Sequence, residues 1–292
     1  MKYVVSHRTA YTYGSPVRDS RGIYHLSPRA LPWQEVANHT VTVDPVPLDL
    51  HRDTDCYGNA VTYFQVTEAH RELVIDSTSD VTVVEPRYDE DALAVPWEKA
   101  RPLLNTDDPD AWAAVEFALE SSRAAHAPGV ADYAAASLVR GRPIGEAATD
   151  LMHRIYADFD YDSTATTVTS TVADVLRKRA GVCQDFAHFA LACLRSHGIA
   201  ARYVSGYLAT QPPPGKERVV GADASHAWLA VWMPGSPDWL AIDPTNNQWA
   251  NERYVTVAWG RDYGDVSPVK GVIFTKSKKS TLRVNVDVAP VA

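Results

Sequence analysis

The chain has 292 residues, 46% of them hydrophobic and 22% charged, and a formal net charge of -8. That length allows two domains with a sizeable core. The charge is spread along the chain, with one basic run, "KSKK", near the C-terminus, which argues against a nucleic-acid or anionic-membrane surface, and no run of about 18 apolar residues is present to span a bilayer.

The opening "MKYVVSHRTAYTYGSP" lacks the apolar run of a signal peptide, so a cytoplasmic location is expected. From Met1 to Pro86 hydrophobicity alternates with period two. "YVVSHRTAYTY" and "ANHTVTVDP" read as strands, and "NAVTYFQVTEAHRELVIDSTSDVTVVEP" as two more, with "CYGN" as the turn feeding the third. Residues 1–86 are therefore expected to form an antiparallel β domain, sandwich-like in architecture.

A Pro-punctuated linker over 87–105 leads into helical patterns. "DPDAWAAVEFALESSRAA" opens with acidic residues and closes with a basic one, and "PIGEAATDLMHRIYADF" is a second helix. "TVADVLRKRAG" is a third, with Thr171 and Asp174 at capping-box spacing and Gly181 at its end. In "CQDFAHFALACLRSHG" the residues Phe186, Ala187, Ala190, Leu191, Cys193 and Leu194 build one apolar face, and Gly198 ends the helix. "ARYVSGYLA", "SHAWLAVWM" and "DWLAIDPT" are strands, and "VIFTKSKKSTLRVNVDVAP" supplies one or two more. Residues 106–292 thus read as α+β, helices followed by an antiparallel sheet.

The cysteines Cys56, Cys183 and Cys193 are too few, and odd in number, for a disulfide framework. On one helix Cys183 and Cys193 lie roughly 15 Å apart, beyond disulfide reach. Cys193 falls on the apolar face and reads as packing. Cys183 falls in the first turn, where unpaired N–H groups and the helix dipole favour a thiolate, and Gly181 leaves room for a backbone or substrate to approach. A free thiol is only a few per cent ionised at neutral pH, so ionisation by a nearby imidazolium raises the thiolate fraction roughly 30-fold.

Of the 10 histidines, His188 points about 140° away from Cys183 around the helix. His226 is the informative one. If "MPGS" is a four-residue hairpin loop, Trp228 pairs with Ala241 and His226 with Asp243, on one face, while Ala227, Leu229, Leu240 and Ile242 make the other face apolar. A carboxylate so placed can accept a ring N–H and fix the imidazole tautomer. Taken singly, a cysteine at a helix start is commonly a packing thiol, and a cross-strand His and Asp a surface ion pair. Together, in this order, they supply a nucleophile, a proton carrier and an orienter.

"GVCQDFAHFALACLRSHGIAARYVSGYL", "SHAWLAVW" and "WLAIDPTN" resemble the bacterial transglutaminase-like family of the papain-like cysteine enzyme superfamily, and "GRDYGDVSPVKG" is similar to that family's late motif. Residues 1–86 resemble the β-rich N-terminal region that accompanies such domains. The resemblance implies a catalytic helix packed on an antiparallel sheet, with Cys183 as nucleophile, His226 as general base and acid, and Asp243 as orienter. An oxyanion formed at Cys183 needs two donors. Its own backbone N–H is one; for the other, Tyr161 in "FDYD", an aromatic upstream of the cysteine as in similar enzymes, and the Gln184 side chain stay open, and Tyr161 reads equally as a core aromatic.

Trp228 shares the His226 face and either walls the cleft or packs inside. Tyr207 and Tyr263 pose the same choice, Asp223 either meets a cationic substrate group or is solvated, and Asn246 and Asn247 read as a turn. Animal transglutaminases need calcium, but "DTDCYG" has Phe64 where a calcium loop requires a bidentate Glu, so no metal or other cofactor is expected. The expected activity is amide-bond chemistry through a Cys183 thioester on a peptide or protein substrate. Hydrolysis leads, transamidation to an amine comes second, and a non-catalytic scaffold is third. Similar proteins occur beside amide-forming ligase-like proteins, which suggests peptide-modifying gene-cluster partners.

Overall fold

A computed structural model of the chain describes residues 1–105, 107, 109–167, 169–210, 225–276 and 279–291. Among these residues no helix is long and apolar enough to cross a membrane. The N-terminal strands are β1 (Lys2–Tyr24), β2 (Gln34–Asp44), β3 (Asp49–Thr54), β4 (Ala60–Val66) and β5 (His70–Val83). The sequence reading missed β3 because it is exposed throughout and carries no alternating apolar face. The "CYGN" turn is held by Asp55, whose carboxylate accepts the N–H groups of Tyr57 and Asn59 at 2.9 and 2.8 Å. That acid serves the turn.

The helical half contains α1 (Glu90–Leu93), α2 (Pro109–Ala114), α3 (Val130–Ala135), α4 (Ile144–Asp158), α5 (Val172–Lys178) and α6 (Cys183–Arg195), with the two-residue strands β6 (Asp160–Tyr161) and β7 (Ala180–Gly181) pairing between them. Thr171 and Asp174 form the expected capping box on α5. That helix ends at Arg179, in the left-handed region at φ 53°, and not at Gly181, which belongs to β7. Every residue of α6 from Asp185 to Arg195 is buried. A one-sided apolar face was expected; α6 is instead the central helix, packed against α3, α5 and the sheet behind it.

That sheet holds β8 (Ala201–Leu208), β9 (Ser225–Val231), β10 (Leu240–Asp243), β11 (Gln248–Trp249) and β12 (Tyr254–Gly260), in the order β11-β10-β9-β8-β12. Ala227, Leu229 and Val231 face α6, while Trp228, Ala230 and Trp232 face a second core with Phe117, Trp239 and Tyr254.

The last strands, β13 (Val269–Thr275) and β14 (Ser280–Val291), correct the sequence reading. They do not extend the second sheet; both pair with β1, and the chain's two ends share one seven-stranded antiparallel sheet. The first half of β1 pairs with β5 and β14, its second half with β4 and β13, with a break in register between Thr12 and Val17. Tyr13, Val17, Tyr24, Phe64 and Ile75 fill the curl of that sheet. Tyr3, Val5, Val286 and Val288 share the main core with α6, so the two halves are joined by apolar packing.

Candidate active site

Three elements end at the same place: α6 begins at Cys183, β9 begins just before His226, and β10 ends at Asp243. The hairpin register differs from the expected one. Ala241 pairs with Ala230 and Ile242 with Leu229, a shift of two residues caused by a loop longer than "MPGS". A shift of two preserves the face of every side chain, so His226 still meets Asp243, now on the diagonal, with the imidazole Nε2–H donating to Oδ2 at 2.7 Å. The strand face they share is not open along its length. Trp228, 1% exposed, packs near-parallel to the His226 ring at 6.0 Å and lies in the second core, so it supports the histidine from inside and does not wall the cleft.

Asp243 is fully buried. Its Oδ2 also accepts the Tyr254 hydroxyl and the Asn246 side-chain N–H, both at 2.7 Å, and Oδ1 accepts the Thr245 backbone N–H at 2.8 Å. Burial by itself would raise the Asp243 pKa, but the hydrogen bonds from His226, Asn246 and Tyr254 outweigh it and hold the carboxylate below its ordinary range. His226 shows the complementary balance. Burial lowers its pKa, yet hydrogen bonds to Asp243 and to the Cys183 sulfur, with the charges of both, push it up to about 10. The imidazole is therefore protonated at neutral pH, with Nε2 on the carboxylate and Nδ1 left for the sulfur.

Two glycines permit this closeness. Gly206 pairs with His226 across β8 and β9, and a Cβ there would stand 2.1 Å from the Val255 carbonyl and 2.6 Å from the Trp228 ring. Any side chain at 206 would displace the strand beside His226. At Gly181 the expected room for a substrate is taken from within: a Cβ would lie 2.8 Å from Asp185 Oδ2. That carboxylate caps α6, accepting the Val182 N–H at 2.9 Å and the Thr166 hydroxyl at 2.6 Å.

A cleft of about 290 Å³ opens over the sulfur, lined by Tyr161, Cys183, His226, Thr245 and Asn246 among others. Tyr161 is 63% exposed, which excludes the core-aromatic reading, and it reaches the rim because β6 pairs with β7 just before Cys183. Burial and then the charge of the Cys183 sulfur raise its hydroxyl pKa, so it stays a donor. Gln184 is half buried in the first turn of α6 and is not part of the cleft wall. Asp223 lies outside the described residues. Tyr207 is 3% exposed and hydrogen-bonded to His7, and Tyr263 packs edge-on to Tyr203, so both are packing residues.

His188 and Cys193 are interior. The His188 ring stacks on Tyr203 and its Nε2 accepts the Tyr263 N–H at 3.2 Å, and burial takes its pKa down to about 3. Sequence reasoning read Asn246 as a turn residue, which it is, but missed its hydrogen bond to Asp243, and it missed Tyr254 altogether. Asn246 carried a signal, since it follows Asp243 at the spacing that lets a turn fold back; Tyr254 reaches the carboxylate only through the sheet order and carried none.

Residues 3–82 match the bacterial transglutaminase-like N-terminal region, and residues 132–244 match the transglutaminase-like superfamily. An uncharacterized protein of Mycobacterium tuberculosis is 47% identical over 295 residues, covering 99% of this chain and 93% of that protein. One from Mycobacterium leprae is 36% identical over 282 residues, covering 92% and 91%. Among solved structures, a Cytophaga hutchinsonii protein provisionally described as a cysteine protease superposes with a TM-score of 0.73 at 20% identity, covering 99% of this chain and 97% of that one. That likeness shows a shared fold.

Proposed function

The chain belongs to the transglutaminase-like superfamily, and from that premise we propose that it is a cysteine-dependent enzyme that cleaves a peptide or isopeptide amide through a thioester at Cys183. One observation carries the reading: a single imidazole, pushed up to about 10, is shared between a buried carboxylate at 2.7 Å and a sulfur at the floor of an open cleft. A protonated His226 favours the thiolate form of its neighbour.

The chemistry follows from the placement. The Cys183 thiolate attacks the amide carbonyl carbon, and the carbonyl oxygen takes the negative charge. The Cys183 backbone N–H, in the first turn of α6, and the Tyr161 hydroxyl, which lines the same cleft, receive it. His226 Nδ1 gives its proton to the leaving nitrogen, the C–N bond breaks, and a thioester remains. Water then gives a proton to His226 as its oxygen attacks the thioester, and the thiolate is released with the carboxylic product. Asp243 keeps its charge and the ring's orientation throughout. A reducing, cytoplasmic setting belongs to the same proposal, since all three cysteines are free.

Brief treatment with dilute iodoacetamide at pH 6, read by mass spectrometry, tests the reading. Cys56 is exposed, Cys183 half buried and Cys193 buried, so access alone predicts labelling at Cys56 first. Activation predicts Cys183 first, faster than a free thiol; equal slow labelling of all three returns the chain to a non-catalytic scaffold. Incubating acyl donors with a labelled amine then separates the outcomes: label incorporated faster than hydrolysis makes the enzyme a transamidase.

A further inference from the structure

A second cavity, of about 510 Å³, opens between α1, the first half of α4 and Trp249. One chain segment joins it to the cleft. Thr245 and Asn246 line the cleft, while Trp249, three residues after Asn246 and on β11, lines the second cavity. His153, also in that cavity's wall, is hydrogen-bonded to Asn247 between them. Three residues span at most about 10 Å of chain, so Asn246 on the cleft and Trp249 on the cavity lie within that distance, and a peptide with its amide at Cys183 can place a nearby side chain in this space.

The cavity has a definite chemistry. Leu93, Ala94 and Pro143 make its walls apolar, and the Trp249 indole is fixed, its Nε1–H donating to Thr149 at 2.9 Å and its ring meeting Tyr88 edge-on at 5.7 Å. Three carboxylates, Glu90, Glu146 and Asp150, stand around it, and no Lys or Arg lines it. Asp150 is matched by Arg142 at 3.3 Å. Glu90 and Glu146, both exposed, have no ion-pair partner among the described residues. An apolar slot with an indole face and two uncompensated negative charges is complementary to a cation on an apolar stem and repels an anion.

We propose that this cavity is the subsite for a lysine or arginine side chain of the substrate, lying within about three residues of the amide presented to Cys183. The proposal rests on the peptide-cleaving reading of the cleft. It makes the enzyme selective for basic peptides, the aliphatic stem lying on Trp249 and the charge between Glu90 and Glu146.

The test reads binding and not turnover. In the Cys183→Ala protein with ¹⁵N-labelled tryptophan, the Trp249 indole N–H signal, assigned by Trp249→Phe, is followed during titration with n-pentylammonium, pentan-1-ol and pentanoate. The expected result is a saturable shift with the ammonium ion, about tenfold weaker binding of the alcohol and none with the carboxylate. Glu90→Gln with Glu146→Gln should weaken the ammonium ion about tenfold and leave the alcohol unchanged. If the double variant loses both ligands, 0.5 M salt on the Cys183→Ala protein replaces it, and must weaken the ammonium ion alone. Equal binding of ammonium and alcohol, indifference to both the charge variant and salt, or no saturation overturns the proposal. Because Cys183 is absent, such a failure leaves the cleft reading standing, whereas failed alkylation of Cys183 would leave this site standing.

Discussion

Helix α6 passes through two environments, and each holds a cysteine, a histidine and an aspartate. At its first turn, Cys183 meets His226, which is held by Asp243. Further along, Cys193 is fully buried near the Val130 carbonyl, His188 lies under Tyr203, and Asp262 is occupied by Ser122, Arg123 and Gly264. The two histidines are pushed in opposite directions. His226 is driven up because its ring donates to a buried carboxylate; His188 is driven down to about 3 because it is buried with an N–H pointing at its lone pair. Burial pushes the Cys193 thiol up as well. The two places differ in hydrogen-bond direction and in access to solvent, not in composition.

The largest effect that tests this contrast is on the sulfurs. Cys183→Ala should remove turnover of a fluorogenic peptide by about 10⁴-fold or more while leaving the fold intact. Cys193→Ala should leave turnover unchanged and lower stability by about 1 kcal/mol in a urea titration. If Cys193→Ala also abolished turnover without unfolding the chain, the two environments would not be functionally separate.

Next is the carboxylate. Asp243→Asn keeps the shape of the site and removes the charge that holds the imidazolium, so turnover should fall by about 10³-fold or more. The His226 titration, followed by NMR, should drop from about 10 towards its ordinary value. A midpoint that stays near its original position would assign the shift to Cys183 alone.

The two histidines also set opposite limbs of the pH–stability curve. His226 has a raised folded-state pKa, so its contribution is fully present below about pH 6.5 and is lost as pH rises through about 10. His188 has a lowered one, so its contribution is present above about pH 6.5 and is lost as pH falls towards about 3. Urea midpoints across this range should show the acid limb flattened in His188→Gln and the alkaline limb flattened in His226→Gln. Identical curves for both variants would remove the distinction.

These outcomes bear on how much the sequence could tell. The His226 and Asp243 pairing was legible because alternation depends on parity, and the two-residue error in register left parity intact. The burial of Trp228 was not legible, since what covers that face comes from distant segments, Phe117 and Tyr57 among them. Nor was the placement of β13 and β14: period two announces a strand but not its partner, and their partner is the first strand of the chain. Tyr161 was legible as a candidate through its resemblance to similar enzymes, while its exposure follows from a parallel pairing too short to leave a pattern.

Tyr254→Phe probes the smallest step of the contrast. The ring stays, with its edge-on contact to Trp228 at 5.2 Å, so packing is preserved and only the hydroxyl is lost. That hydroxyl donates to Asp243 Oδ2 at 2.7 Å and accepts from Gln248 at 2.6 Å. A hydrogen bond to a charged group is worth about 1.5–3 kcal/mol, and stability should fall within that range. Turnover should fall only about three- to tenfold, because His226 and Asn246 still hold the carboxylate. With one competing donor gone, Asp243 accepts more strongly from the imidazole, so the His226 midpoint should hold or rise while turnover declines. A merely structural tyrosine would lower stability without touching turnover or the midpoint. A midpoint that fell as far as in Asp243→Asn would mean that the hydroxyl, and not the carboxylate it orients, keeps the charge on His226.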